Sequence, residues 1–413
     1  MGKLRVCLCL LCLLLLIPAL LQARRILPLD TRPLVAEKYA GWTGVLNLWV
    51  YEGWPCGSGG ISPWLNQCIS AFEKAHTGVY VQPQFVDAGA ITTMNDSGII
   101  PPDMLLFPPD LLATPKGLTP LENAGGVRAT LSRCGEWNKA IYAVPVALGG
   151  YLWAWNTGLI DAIPGSWRDA DAVLSVPAPE SGRRWDAALL ALCSGRYAPP
   201  EPGILPETTP SPVGEVDLGL IGAASPIPTL LPTPRPDATQ TRRLPAGFQY
   251  DGDAWRHFVN GESAAMPVTQ REVRRLQGLS DQGKGPQWQL GPGDAAFTDQ
   301  LLGLAVMDRP VSDPRRSLCM DFLAWLLSED CQSSLSHASA FAVTEASSGY
   351  AASDPLAVMD AALRDPSLAA PRFFDDRWTT RAEEIVREFI SDTRDAPDLW
   401  RDLRRCLAEN PND

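Results

Sequence analysis

Residues 143–160 read AVPVALGGYLWAWNTGLI. An apolar run leads to Gly149–Gly150, then Tyr151, Trp153 and Trp155 follow at period-two spacing before Asn156. Val, Leu and aromatics in this pattern predict a strand, and paired glycines inside it mark a bend or a close backbone approach. In an extended chain Tyr151, Trp153 and Trp155 share one face. Rigid aromatics beside a pivot suit a protein that closes on a ligand. A plain buried strand with an aromatic side is the structural alternative.

At 413 residues the chain is too long for one compact core. Its composition is globular, 46% hydrophobic and 20% charged, and its 14 Trp outnumber its 8 Tyr and 11 Phe. Indole offers a broad apolar face with one N–H donor, which suits wet, apolar-faced ligand sites. The net charge of −12 argues against nucleic acid or an anionic membrane as the main partner.

Residues 1–23 read as a signal peptide or an N-terminal anchor. Lys3 and Arg5 precede an uncharged, Leu-rich run, which is near the ~17–25 residues that span a bilayer. The bulk of the protein is therefore expected outside the cytosol, at the cell surface, in the periplasm or free. Seven of the ten cysteines follow this leader, at 56, 68, 134, 193, 319, 331 and 406. An odd, scattered set is no disulfide framework, although one or two bridges fit. His76, His257 and His337 stand apart in sequence, so no metal site is expected.

Farther along, residues 44–51 predict a first strand. Ser62 as N-cap and Pro63 in the first turn open a helix. Its apolar stripe is Trp64, Leu65, Cys68, Ile69, Phe72 and Ala75, and Gly78 closes it. Residues 79–86 and 103–107 predict two more strands. Strand–helix–strand order favours a parallel sheet, whose ligands gather beyond the carboxyl ends of strands. Glu52, Trp54, Phe107 and Asp110 stand at such ends. A helix is expected around 185–193. Residues 198–236 hold eleven prolines and no aromatic residue, so they predict an insertion without regular structure. Residues 317–334 predict a helix burying Leu318, Phe322, Trp325 and Leu326, and 381–390 and 398–407 predict two late helices.

Several motifs resemble one family in order and spacing. LNLWVYEGW (46–54), AFEKAHTG (71–78), PDMLLF (102–107), GLTPLE (117–122) and AIYAVP (140–145) resemble the first lobe of the extracellular solute-binding proteins that serve ABC importers, sugar binders especially. AWRHFVNGESAAMPV (254–268) and FAVT (341–344) resemble their second-lobe entry and last crossing. The resemblance implies an α/β, two-lobed periplasmic-binding-protein-like (type II) fold with an interdomain cleft and hinge crossings near 146–150, 285–290 and 338–342. Lobe 1 would comprise 40–147 and 288–338, and lobe 2 would comprise 148–287 and 339–413.

It further implies capture of a small solute, a sugar or oligosaccharide, for ABC permease subunits by a monomer that uses no cofactor and breaks no bond. Thr269, Gln270 and Arg271 would stand at the mouth of the cleft. Sugars suit aromatic platforms under their C–H faces and carboxylates or amides for their hydroxyls. Trp54, Phe107, Tyr151 and Trp378 are the candidate platforms; Glu52, Asp110 and Gln270 are the candidate acceptors. Trp64, Trp153, Trp155 and Trp325 are expected to be packing residues. A secreted glycosidase using Glu52 and Asp110 is the catalytic alternative, yet there is no G-x-S-x-G, H-E-x-x-H or phosphate loop. A surface protein with a degenerate cleft, which only binds other proteins, is the third reading.

Overall fold

The computed structural model describes residues 42–374, apart from 55, 58–59, 95–99, 110, 123–124, 165–171, 178–247, 252, 292–296 and 367, together with six residues between 381 and 405. The expected leader, the helix near 185–193, the Pro-rich stretch and most of the two late helices lie outside the described residues.

Strand β1 (Gly44–Tyr51) alternates as a half-covered strand should: Leu46, Leu48 and Val50 have no exposure, whereas Val45 is exposed. Helix α1 (Ser62–Ala75) buries Trp64, Leu65, Cys68, Ile69 and Phe72, each large side chain stabilising by roughly 1.5–3 kcal/mol. Two details differ from expectation. Ile61, not Ser62, is the N-cap, no side chain caps the helix, and Ala75 is exposed. Pro63 occupies the first turn, where its missing N–H costs nothing, and Gly78 takes a φ of 88° beyond the helix end.

Strand β2 (Val79–Val86), the short helix α2 (Ala88–Thr92) and β3 (Met104–Phe107) follow. Both strands pair parallel to β1. Asp103, expected to open β3, instead lies just before it. It is buried and pairs with Arg309 at 3.1 Å and Arg315 at 2.7 Å. The hairpin β4 (Glu136–Trp137) and β5 (Ala140–Ile141) turns through Asn138 and Lys139, both at positive φ. Then β6 (Val144–Leu148) runs to the paired glycines and β7 (Tyr151–Asn156) leaves them.

The remaining elements are β8 (Leu174–Pro177), β9 (Phe248–Asp251), α3 (Ala254–Val259), β10 (Ala265–Thr269), α4 (Gln270–Asp281), β11 (Trp288–Leu290), β12 (Leu301–Val306), α5 (Asp313–Leu326), α6 (Glu329–Ser333) and α7 (Pro355–Ala362). They complete two five-stranded sheets, ordered β2-β1-β3-β12-β6 and β11-β7-β10-β8-β9. In the first, β12 runs antiparallel between β3 and β6. The expected helix over 317–334 is two helices, because Ser328 accepts from the Cys331 N–H and caps a new one. Leu318, Phe322 and Leu326 are buried as expected, while Trp325 is half-buried.

The chain passes between the sheets at three places. Gly149–Gly150 joins β6 to β7, a second passage lies between β11 and β12, and a third lies between Phe341, bridged to Leu148 of β6, and α7, which packs on β11. The second passage comes later than 285–290, since Trp288, Gln289 and Leu290 pair with Asn156, Trp155 and Ala154 in the second sheet. The tail serves both sheets. Helix α7 packs on α4 and β11, whereas Phe373 packs on Gly303 of β12. Trp153 and Trp155 are buried against each other, ring centroids 6.0 Å apart.

Candidate functional site

The carboxyl ends of β1, β3 and β6 converge where the chain crosses to the second sheet, and β10 ends beside the start of β7 because Thr269 pairs with Tyr151. Glu52 follows β1; it is exposed, and its backbone N–H donates to the Val86 carbonyl. Trp54 is 5% exposed, and its indole N–H has no hydrogen-bond partner among the described residues. A buried donor without an acceptor costs about 1–3 kcal/mol unless something satisfies it.

Phe107, the last residue of β3, presents no face to solvent. Its ring meets Phe373 edge-on at 5.3 Å and Phe374 at 6.1 Å. Gln270 is likewise fully buried, with Oε1 accepting the Gly150 N–H at 3.1 Å. Tyr151 is half-buried, and its hydroxyl donates to Asp299 Oδ1 at 2.7 Å. Burial, reinforced by the Asp299 charge, pushes the Tyr151 phenol well above its ordinary range. Asp110 and Trp378 lie outside the described residues.

Tyr151 and Gln270 are thus brought together at the first crossing. Around them stand residues that the sequence did not single out. Thr298 donates its hydroxyl to the Gly149 carbonyl at 2.7 Å, and the Gly149 N–H donates to the Gln300 carbonyl at 2.7 Å. Both glycines are sterically required, as a Cβ on Gly149 would collide with the Gln270 and Gln300 amides and one on Gly150 with Leu363. Nothing in the local pattern around Thr298 or Gln300 announces this role, because both act through backbone atoms distant in sequence.

A second set of contacts links the loop after β1 to α4. The Gly57 N–H donates to Ala338, and the Cys56 thiol lies within the field of Arg271, the exposed second residue of α4. Thr269 caps α4 through a capping box with Glu272. Arg274 then reaches Ser339 Oγ at 3.0 Å and grips Asp354 through two hydrogen bonds of 2.9 Å, with its guanidinium 5.7 Å from the Tyr350 ring centre. A separate cavity of about 490 Å³, lined by Ile160, Ile163, Gln289, Leu290 and Val358, includes none of the expected site residues. Among the described residues no three His, Cys, Asp or Glu cluster to hold a metal ion, and no helix is long and apolar enough to cross a membrane.

No protein-family profile matches the chain, and no curated protein sequence matches it. Solved structures do match its fold. A maltodextrin binding protein from L. casei BL23, solved without ligand, superposes with a TM-score of 0.58 at 14% identity, covering 89% of this chain and 98% of that one. An ABC substrate-binding protein from Listeria monocytogenes in complex with cycloalternan gives 0.51 at 12% identity, covering 88% and 98%. A chitin oligosaccharide binding protein also gives 0.51 at 12%, covering 90% and 100%. The chain has the two-lobed, type II periplasmic-binding-protein-like fold.

Proposed function

We propose that this chain is an exported, monomeric solute-binding protein that captures a carbohydrate between its two sheets and delivers it to ABC permease subunits. The observation that carries the reading is the crossing itself. Strand ends from both sheets, with Tyr151 and Gln270, meet around glycines that admit no side chain, while Glu52 and Trp54 follow the carboxyl end of β1. The matched structures support it, since each is named for binding and none for catalysis. Closure would be bending at the three passages, driven by a ligand that touches both lobes. Trp54 supplies an indole donor and an apolar face, Glu52 an exposed carboxylate, and Trp378 and Asp110 complete the proposed set from beyond the described residues.

The degenerate-cleft reading is favoured by a specific observation: Phe107 and Gln270, two of the expected ligand contacts, are spent on internal packing. Titration of the purified chain with malto-, chito- and other oligosaccharides, followed by Trp fluorescence, separates the two. Saturable quenching that is weakened by Trp54→Ala supports solute capture. Silence across sugars, peptides and polyamines leaves the degenerate cleft. Release of reducing ends, abolished by Glu52→Gln, overturns both in favour of a glycosidase.

A further inference from the structure

Five described cysteines are buried and unbridged, and they are not alike. Burial pushes the Cys56, Cys134 and Cys319 thiols up to about 12, the condition of inert packing residues. Cys68 on α1 and Cys331 on α6 instead lie with their side chains in hydrogen-bond contact, 2% and 4% exposed. Two indoles donate to the backbone carbonyls of this pair. Trp64, one turn before Cys68, donates to the Cys331 carbonyl at 2.8 Å, and Trp325 at the end of α5 donates to the Cys68 carbonyl at 3.2 Å. The first bond ties α1 to α6 and the second ties α1 to α5, the helix that leads into α6, independently of the thiols themselves. Cys331 is held below and Cys68 above the ordinary thiol range, because the Cys68 S–H donates to the Cys331 sulfur.

We propose that Cys68 and Cys331 are a disulfide-forming pair, joined as the chain folds and cross-linking α1 to α6 on the flank of the first sheet. Only the oxidising compartment rests on the export proposed above; the juxtaposition does not. Each sulfur gives up its hydrogen and one S–S bond forms. The two protons and two electrons pass to the disulfide of a thiol oxidase or of oxidised glutathione, which leaves as two thiols. The bond closes a long loop in the unfolded chain and so favours the folded one. It lies within the first lobe, where Gln332 beside Cys331 donates to the Val146 carbonyl of β6, so it leaves the crossings free.

The test is to refold the full chain in a glutathione redox buffer, alkylate the soluble fraction and map its peptides without reduction. The expected product is one peptide pair joining positions 68 and 331, lighter by two hydrogens than the separate peptides. Its melting temperature falls by about 5 °C or more when a phosphine reduces it, and Cys68→Ser/Cys331→Ser is insensitive to the phosphine. Alkylation of both thiols in the folded fraction, or a bond from either to another cysteine, overturns the proposal. No ligand enters this experiment, so a cross-linked chain without sugar affinity would sink the solute-binding reading alone.

Discussion

Gln270 fills the space above Gly149: its side-chain amide stands where a Cβ would be, while its Oε1 receives the N–H of the next glycine. Gly149 meets two buried amides, whereas Gly150 meets the end of the Leu363 side chain, its two methyls foremost. Gly149→Ala should therefore cost about 1–3 kcal/mol in urea unfolding and Gly150→Ala less, since flexible methyls give way. Equal costs would contradict this arrangement of the crossing.

Removing the amide tests the same contact from the other side. Gln270→Ala leaves the Gly150 N–H buried without its acceptor, with an expected loss of about 1–3 kcal/mol. Gln270→Glu keeps an acceptor but places a charge near Asp299 and Glu272, and should not restore stability at neutral pH. Full stability of either variant would place Gln270 in solvent rather than in the crossing.

The Arg274–Asp354 pair holds α4 to the start of α7, with side chains 24% and 20% exposed. Two parallel hydrogen bonds and partial burial lift it above an ordinary surface ion pair. A double-mutant cycle with Ala at both positions should return a coupling of about 1 kcal/mol or more. Arg274→Lys should recover little, because an ammonium cannot reproduce the planar fork that also reaches Ser339.

Alkaline pH should unfold the chain through its buried phenols. Burial raises the Tyr151 phenol well above its ordinary range, and that of Tyr350 as well. Unfolded tyrosine ionises near pH ~10. Above that pH the unfolded chain has released protons that the folded chain still holds, so stability is full below ~10 and declines as pH rises beyond it. Urea unfolding at pH 9 and 11 measures the decline, and Tyr151→Phe should shrink it.

The first sheet was largely legible. GVLNLWVY and VYVQPQFV formed the strands that their alternation indicated, and the stripe Trp64, Leu65, Cys68, Ile69 and Phe72 became the buried face of α1. Such signals are local, set by period and by the Gly and Pro residues that punctuate them. The site was legible only in part. Phe107 stands at a strand end, as its position implied, but what covers it is Phe373 and Phe374, and no local pattern forecasts contact across that separation. Gln270 was found by its place after β10, yet its orientation depends on the Gly150 N–H of another strand. The late return at β11 escaped notice because three residues are too few to show a period.

The most direct test of the account is thermal unfolding of the purified chain with maltodextrins and chito-oligosaccharides, alongside the Trp54→Ala variant. A sugar at 100 times its Kd should add ~2.7 kcal/mol to stability, with a clear loss of affinity in the variant. An unchanged melting transition across the whole sugar panel, at concentrations up to the millimolar range, would contradict carbohydrate capture at this crossing.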